Sequence, residues 1–270
     1  MSQLFTIETV QLNSATSFSQ YIISLKGLRL VTIIGENHGD GFDCGAGEKT
    51  SIAHYVKEML QKNPRTLVLI EVDLDFRSQD RDEWPESAPL KEIMELKDNQ
   101  DRLLGFDWRN EWLDPAEREI LYHDEKAFNR KSISQIYQTY LKPFLEMYPY
   151  INEENYTPEL YTFLTITYPQ TLKERVEIMM NDSNLLKSLK HFWKDVADWK
   201  LLCHILSNSN YDSIVAVVGE RHSESLDKLL VALKVRQVTP RQTGTSGSCV
   251  KILTPFRTLP VQFPKIKYRS

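Results

Sequence analysis

Short apolar runs alternate along the chain with amphipathic stretches. Residues 28–34 form an apolar, β-branched run that ends at Gly35. Residues 66–72 and 213–218 repeat that pattern, the latter ending at Gly219. Runs of this length, closed by turn residues, predict strands buried on both faces. Between the first two runs, Ile52, Tyr55, Val56 and Met59 recur at helical spacing, which predicts a helix opening at 50–53 and ending before Pro64. Residues 89–98 and 225–233 predict further helices, 103–106 a short third strand and 249–253 a last one. This β-α-β-α-β rhythm predicts an α/β fold with a mostly parallel sheet and helical crossovers.

The rhythm breaks between about 114 and 206. Asp114-Pro115-Ala116-Glu117 carries the signals of a helix start: a capping Asp, Pro at the first helical position and an acidic first turn. Aromatic-rich amphipathic stretches follow, interrupted near Pro143, Pro149, Pro158 and Pro169. Residues 185–206 predict a long helix with Leu185, Leu189, Phe192, Trp193, Val196 and Trp199 on one side. The expectation is one α/β domain over 1–254 with a helical insertion at 114–206. A basic, proline-containing tail follows at 255–270.

Composition narrows the class. The 270 residues are 41% hydrophobic and 26% charged, ordinary for a globular chain. No apolar run approaches the ~18–20 residues of a membrane span. The three cysteines lack metal-ligand spacing and are too few for a disulfide scaffold, which predicts a reducing, cytoplasmic or intracellular setting. The net charge of −4 conceals a division. No acidic residue follows Asp227, and residues 228–270 hold nine basic ones, so the first 227 residues carry −13. A protein partner for the basic tail is expected ahead of nucleic acid.

Two segments match each other. Ile33-Ile34-Gly35-Glu36-Asn37-His38 and Val217-Val218-Gly219-Glu220-Arg221-His222 both read as a strand followed by Gly-Glu-x-His, 184 residues apart. In an open parallel sheet, functional groups collect in the crevice beyond the carboxyl ends of the strands. If the two strands are neighbours, Glu36, His38, Glu220 and His222 project from loops into one crevice. There they could bind a divalent metal, or act as acid and base without one. Glu71 closes the second apolar run, and Arg109 follows the third within Gly105-Phe106-Asp107-Trp108-Arg109. A carboxylate at the end of a buried strand needs a partner, and an Arg there could hold a carboxylate or an oxyanion. The loop at 41–50 follows a strand and precedes a helix, but Asp43 and Glu48 stand where a phosphate-binding loop requires glycines.

These motifs resemble the TraB/Tiki superfamily, which also takes in ChaN-like and erythromycin-esterase-like proteins. That superfamily has two Gly-x-x-His motifs, here Gly35–His38 and Gly219–His222. Between them lie a strand ending in an acidic pair with a following Arg, here Glu71, Asp73 and Arg77, and then Gly-x-Asp-x-Arg, here Gly105–Arg109. The order matches over about residues 30–233, and Glu at the second motif position is similar to the erythromycin-esterase variant. The resemblance implies a hydrolase, either metal-dependent and peptidase-like or esterase-like, acting on a peptide or ester. His38 and His222 would hold a divalent metal, with Glu36, Glu71, Glu220 and Arg109 in catalytic roles. The contrasting expectation is a catalytically inactive structural or interaction protein that retains the fold, alone or as part of a large assembly.

Overall fold

The computed structural model describes residues 9–24, 28–38, 42, 44, 46–73, 87–107, 158–167, 170, 173–174, 185–208, 210–245 and 249–253. Its strands are β1 (Thr9–Asn13), β2 (Ala15–Ser24), β3 (Leu28–Glu36), β4 (Lys49–Ser51), β5 (Thr66–Asp73), β6 (Leu103–Asp107), β7 (Ser213–Gly219), β8 (Arg236–Thr243) and β9 (Val250–Leu253). Its α-helices are α1 (Ile52–Lys62), α2 (Ala88–Met94), α3 (Pro158–Thr162), α4 (Leu185–Ser207) and α5 (Glu220–Ala232). The tail at 255–270, Arg109 and most of the insertion lie outside the described residues. Among the described residues, no helix is long and apolar enough to cross a membrane.

The main sheet has the order β6-β5-β7-β3-β2-β8. The first four strands run parallel, and β2 is antiparallel to both its neighbours. The expected α/β architecture with a mostly parallel sheet is therefore present. β7 lies between β3 and β5 and is buried along its whole length, as a central strand covered on both faces must be. The two strands that carry the Gly-Glu-x-His motifs are thus direct neighbours. One face of the sheet packs Ile34, Val68, Ile70, Val215 and Val217 against α1 and α2. The other is covered by α5, which in turn packs on α4. Arg29, buried at the start of β3, donates from Nη1 to the carbonyls of Ile205 and Leu206 and so ties the C-terminal turn of α4 to the sheet.

Four strands, β1, β2, β4 and β8, were not foreseen. β2 contains Ser17 and Ser19, both buried, which erases the polar–apolar alternation of a half-buried strand. Their partners lie on α5: Ser17 shares a hydrogen bond with Ser223 at 2.8 Å, and Ser19 donates to Asp227 at 2.5 Å. β8 contains Pro240 and is largely exposed, features that suit an edge strand and resemble a loop in sequence. β1 joins β4 and β9 in a small separate sheet, so the strand expected at 249–253 forms as Val250–Leu253, outside the main sheet. Residues 50–51, expected to open a helix, belong to β4, and Ser51 instead caps α1 by accepting from His54 N–H at 3.0 Å.

Cys44 and Cys249 are joined as a disulfide with a Cα–Cα distance of 5.0 Å, whereas the sequence pointed to unpaired thiols. The two are 205 residues apart, and no spacing rule connects them. Cys203 is free and buried in α4.

Asp227 binds β2 and β8 to α5. It accepts from Ser19, from Tyr21 Oη at 2.7 Å, and from the Arg241 guanidinium on β8. Asp227→Ala would leave Arg241 and two buried hydroxyls without that acceptor. The expected loss of stability is about 3 kcal/mol, measured by urea unfolding. A loss near zero would show that the cluster is not holding β2 and β8 in place.

Candidate active site

The parallel register aligns Gly35 with Val218 and Glu36 with Gly219, so the two motifs lie side by side but one residue out of step. Their local conformations also differ. β3 continues through Glu36, whereas α5 begins at Glu220 with Gly219 as its N-cap. In extended chain, residues two apart share a face. In a helix, residues two apart diverge. Glu36 and His38 consequently turn toward each other, with Oε1 2.6 Å from Nδ1. Glu220 and His222 point away from each other. His222 enters the crevice, while Glu220 lies on the opposite side, paired with Arg241 and accepting from Thr16. The expectation that both motifs project from loops is corrected at the second, where α5 starts five residues earlier than the pattern predicted.

Glu71 stands between the two imidazoles. Its Oε1 is 3.2 Å from His222 Nε2, and its Oε2 is 3.5 Å from His38 Nε2. Oε2 also accepts from the backbone N–H of Gly219 at 2.7 Å. That group belongs to the N-terminal end of α5, where the helix dipole favours negative charge. Each imidazole has a second carboxylate on its far nitrogen: Glu36 on His38, and Asp198 on His222 with Oδ1 2.6 Å from Nδ1. The result is an unbroken series of Glu36, His38, Glu71, His222 and Asp198. Both ends are anchored. Ser87, the N-cap of α2, donates to Glu36 Oε2 at 2.7 Å, and Lys194 donates to Asp198 Oδ2 at 2.7 Å.

Access is concentrated at one member of the series. The side chain of His38 is 51% exposed, that of His222 15%, that of Glu71 9% and that of Asp198 1%. His38 is therefore the group that solvent or a substrate meets first. Gly219 makes the arrangement possible, because a Cβ there would lie 2.5 Å from His38 Nε2 and 3.2 Å from Glu71 Oε2. This is a requirement for close approach, not for an unusual backbone angle.

The charges reinforce one another. The Glu36 carboxylate, and then Glu71, raise the His38 pKa to about 10 against the opposing effect of desolvation. Burial disfavours the charged form of His222, but the charge of Glu71 and the Asp198 carboxylate outweigh it and raise the pKa to about 9. Burial likewise opposes ionisation of Glu71, yet the two imidazoles, His222 foremost, hold it well below the usual carboxylate range.

A divalent metal does not fit this arrangement as it stands. Each imidazole has a carboxylate on Nδ1 and directs Nε2 at an oxygen of Glu71, so the nitrogens converge on the carboxylate and not on a shared open point. Among the described residues, no group of three or more His, Cys, Asp or Glu is placed to hold a metal ion.

Of the residues singled out in the sequence, the structure brings together Glu36, His38, Glu71 and His222, and places Glu220 apart. Arg109 lies outside the described residues. Asp198 and Ser87 were missed. Asp198 carried a usable signal, a carboxylate between Val196 and Trp199 on the apolar side of α4 with Lys194 one turn earlier. No family model, curated protein or solved structure matches this chain.

The pH dependence of stability follows from these shifts. Both imidazoles bind protons more tightly than in the unfolded chain, where the pKa is near 6.5. Their stabilisation is complete below about pH 6.5 and is lost as pH rises through about 9 for His222 and about 10 for His38. Glu71 has the opposite sign: its contribution is present above its unfolded pKa and fades as pH falls toward its depressed folded one. Thermal unfolding across this range should show an alkaline decline that His222→Ala flattens. An unchanged slope in that variant would refute the coupling.

Proposed function

We propose that this crevice is the active site of an esterase-like hydrolase that splits a carboxylic ester or peptide bond by acid–base chemistry. The observation that supports it is the half-exposed His38 within an otherwise buried carboxylate–imidazole series on the carboxyl edge of three adjacent strands. The resemblance of the two Gly-x-x-His motifs to the TraB/Tiki superfamily favours the same class, and the donor geometry favours its metal-free, esterase-like branch.

Environments that drive two neighbouring pKa values apart define an acid and a base. His38 retains its proton at neutral pH, and Glu71 remains ionised. In this reading Glu71 accepts a proton from water as the oxygen attacks the substrate carbonyl. His38 hydrogen-bonds to the developing oxyanion side of the crevice and then donates its proton to the departing oxygen or nitrogen. The proton on Glu71 returns to His38 across the 3.5 Å gap between them. Glu36 fixes the ring of His38 and stabilises its cation. His222 and Asp198 keep Glu71 in place without touching the substrate.

The test is a panel of aryl and alkyl esters and short peptides, assayed with the intact chain. His38→Ala and Glu71→Gln are each expected to lower kcat/KM by at least about 100-fold while circular dichroism stays native. A chelator should leave the rate unchanged. The rate should fall on the alkaline side as His38 loses its proton near pH 10. Full activity in either variant would overturn the assignment, and absence of turnover across the panel would favour the inactive interaction protein.

A further inference from the structure

Ser87 is wholly buried where the start of α2 meets the end of β3. Its carbonyl accepts from Lys91 N–H at 3.0 Å, the first helical hydrogen bond of α2. Pro89, in the first turn, has no N–H, so the amide that reaches the Ser87 side chain is that of Leu90, at 3.3 Å. Leu90, Ile93 and Met94 bury α2 in the core beside α1 and β5. The Ser87 hydroxyl therefore stands on a fixed element. A hydroxyl has one proton and two lone pairs. A backbone N–H can only donate, so Leu90 occupies a lone pair and the proton goes to the other neighbour, Glu36 Oε2, 2.7 Å away.

The direction of that bond fixes the next one. Oε2 of Glu36 is an acceptor, and the other oxygen, Oε1, stands 2.6 Å from His38 Nδ1. Two lone pairs cannot face each other at that distance, so a proton lies between them, and the imidazole is the stronger base. Nδ1 of His38 is therefore the protonated atom. The far end of the series is built differently. Asp198 has two cationic partners, Lys194 and His222. Ser87 is neutral, and among the described residues the cation paired with Glu36 is His38. The Nδ1 proton thus balances a carboxylate with no exposed surface. Nε2 is held more loosely: it is 3.5 Å from Glu71 Oε2, an oxygen that already accepts from Gly219 N–H at 2.7 Å.

We propose that Ser87 is a positioning residue: by turning its proton onto Glu36 it confines one proton of His38 to Nδ1, so that Nε2 alone passes a proton to and from the crevice. Without the hydroxyl, Glu36 Oε2 is buried and loses its donor. The carboxylate then turns to recover one, and its hold on Nδ1 weakens. Proton transfer in the proposed hydrolysis runs through Nε2, the atom that faces Glu71. The effect of Ser87 on turnover rests on that reading of His38; the placement of the Nδ1 proton does not.

The experiment uses the full chain with nitrogen-labelled histidine, the His38 ring signals being assigned by their absence from His38→Gln. Ser87→Ala and Ser87→Gly both remove the hydroxyl, and glycine is the milder loss at a helix N-cap. Ile93→Val is the control, because it trims the buried face of α2 and leaves the hydroxyl in place. Near neutral pH the parent should show a His38 Nδ1–H that exchanges slowly with water beside a faster Nε2–H. Both Ser87 variants should speed Nδ1–H exchange at least about tenfold and lower kcat about tenfold with KM changed less than about twofold. Ile93→Val should alter none of these. Unaltered Nδ1–H exchange in both Ser87 variants would overturn the proposal. The same change in Ile93→Val would also overturn it, by tracing the effect to α2 and not to the hydroxyl. If no form turns over a substrate, the hydrolase reading fails, while the exchange rates still decide where the proton is held.

Discussion

Glu71 carries a charge at a place where water scarcely reaches, and a buried carboxylate is tolerated only with partners that repay its lost hydration. The carboxyl edge of the sheet is organised to supply them. The turn after β3 delivers one imidazole, α5 delivers the other, and the backbone amide of Gly219, the N-cap of α5, fills a third position. Each imidazole then needs its own counter-charge, which α4 provides through Asp198 and β3 through Glu36. The positions of α2, α4 and α5 over the sheet are thus linked through the site as well as through their apolar faces. The cost is mutual dependence, because removing one member leaves its neighbours buried and unpaired.

The two Gly-Glu-x-His segments show how little a motif says without its backbone. Identical spacing gives a facing Glu–His pair where the chain is extended and a diverging pair where it is helical. The second motif replaces its lost carboxylate with Asp198 from a helix that begins far away in sequence. Glu220, freed from the crevice, joins Arg241 in the polar cluster that holds β8. The glycines divide in the same manner: Gly35 admits Ser17, Ser223 and Glu220 on one side of the sheet, and Gly219 admits His38 and Glu71 at its edge.

Much of this was legible because parallel strands buried on both faces leave uninterrupted apolar runs. β3, β5 and β7 were found on that basis, with Glu36, His38 and Glu71 at their ends. β2 was hidden because its inward positions include serines whose partners lie some 200 residues away. β8 was hidden because an exposed edge strand with a proline has no burial pattern to display. The start of α5 was misplaced because Gly219 caps it without a side chain, so the usual Ser, Thr, Asp or Asn signal is missing. The disulfide was unreadable for a different reason: pairing over such a distance is fixed by the tertiary fold alone.

Gly219 carries one more consequence. Its missing side chain is the volume occupied by His38 Nε2, so positions 38 and 219 are not independent. A side chain at 219 would push the half-exposed His38 ring aside and break its approach to Glu71, so the glycine is demanded by the crevice and not by the fold of the sheet.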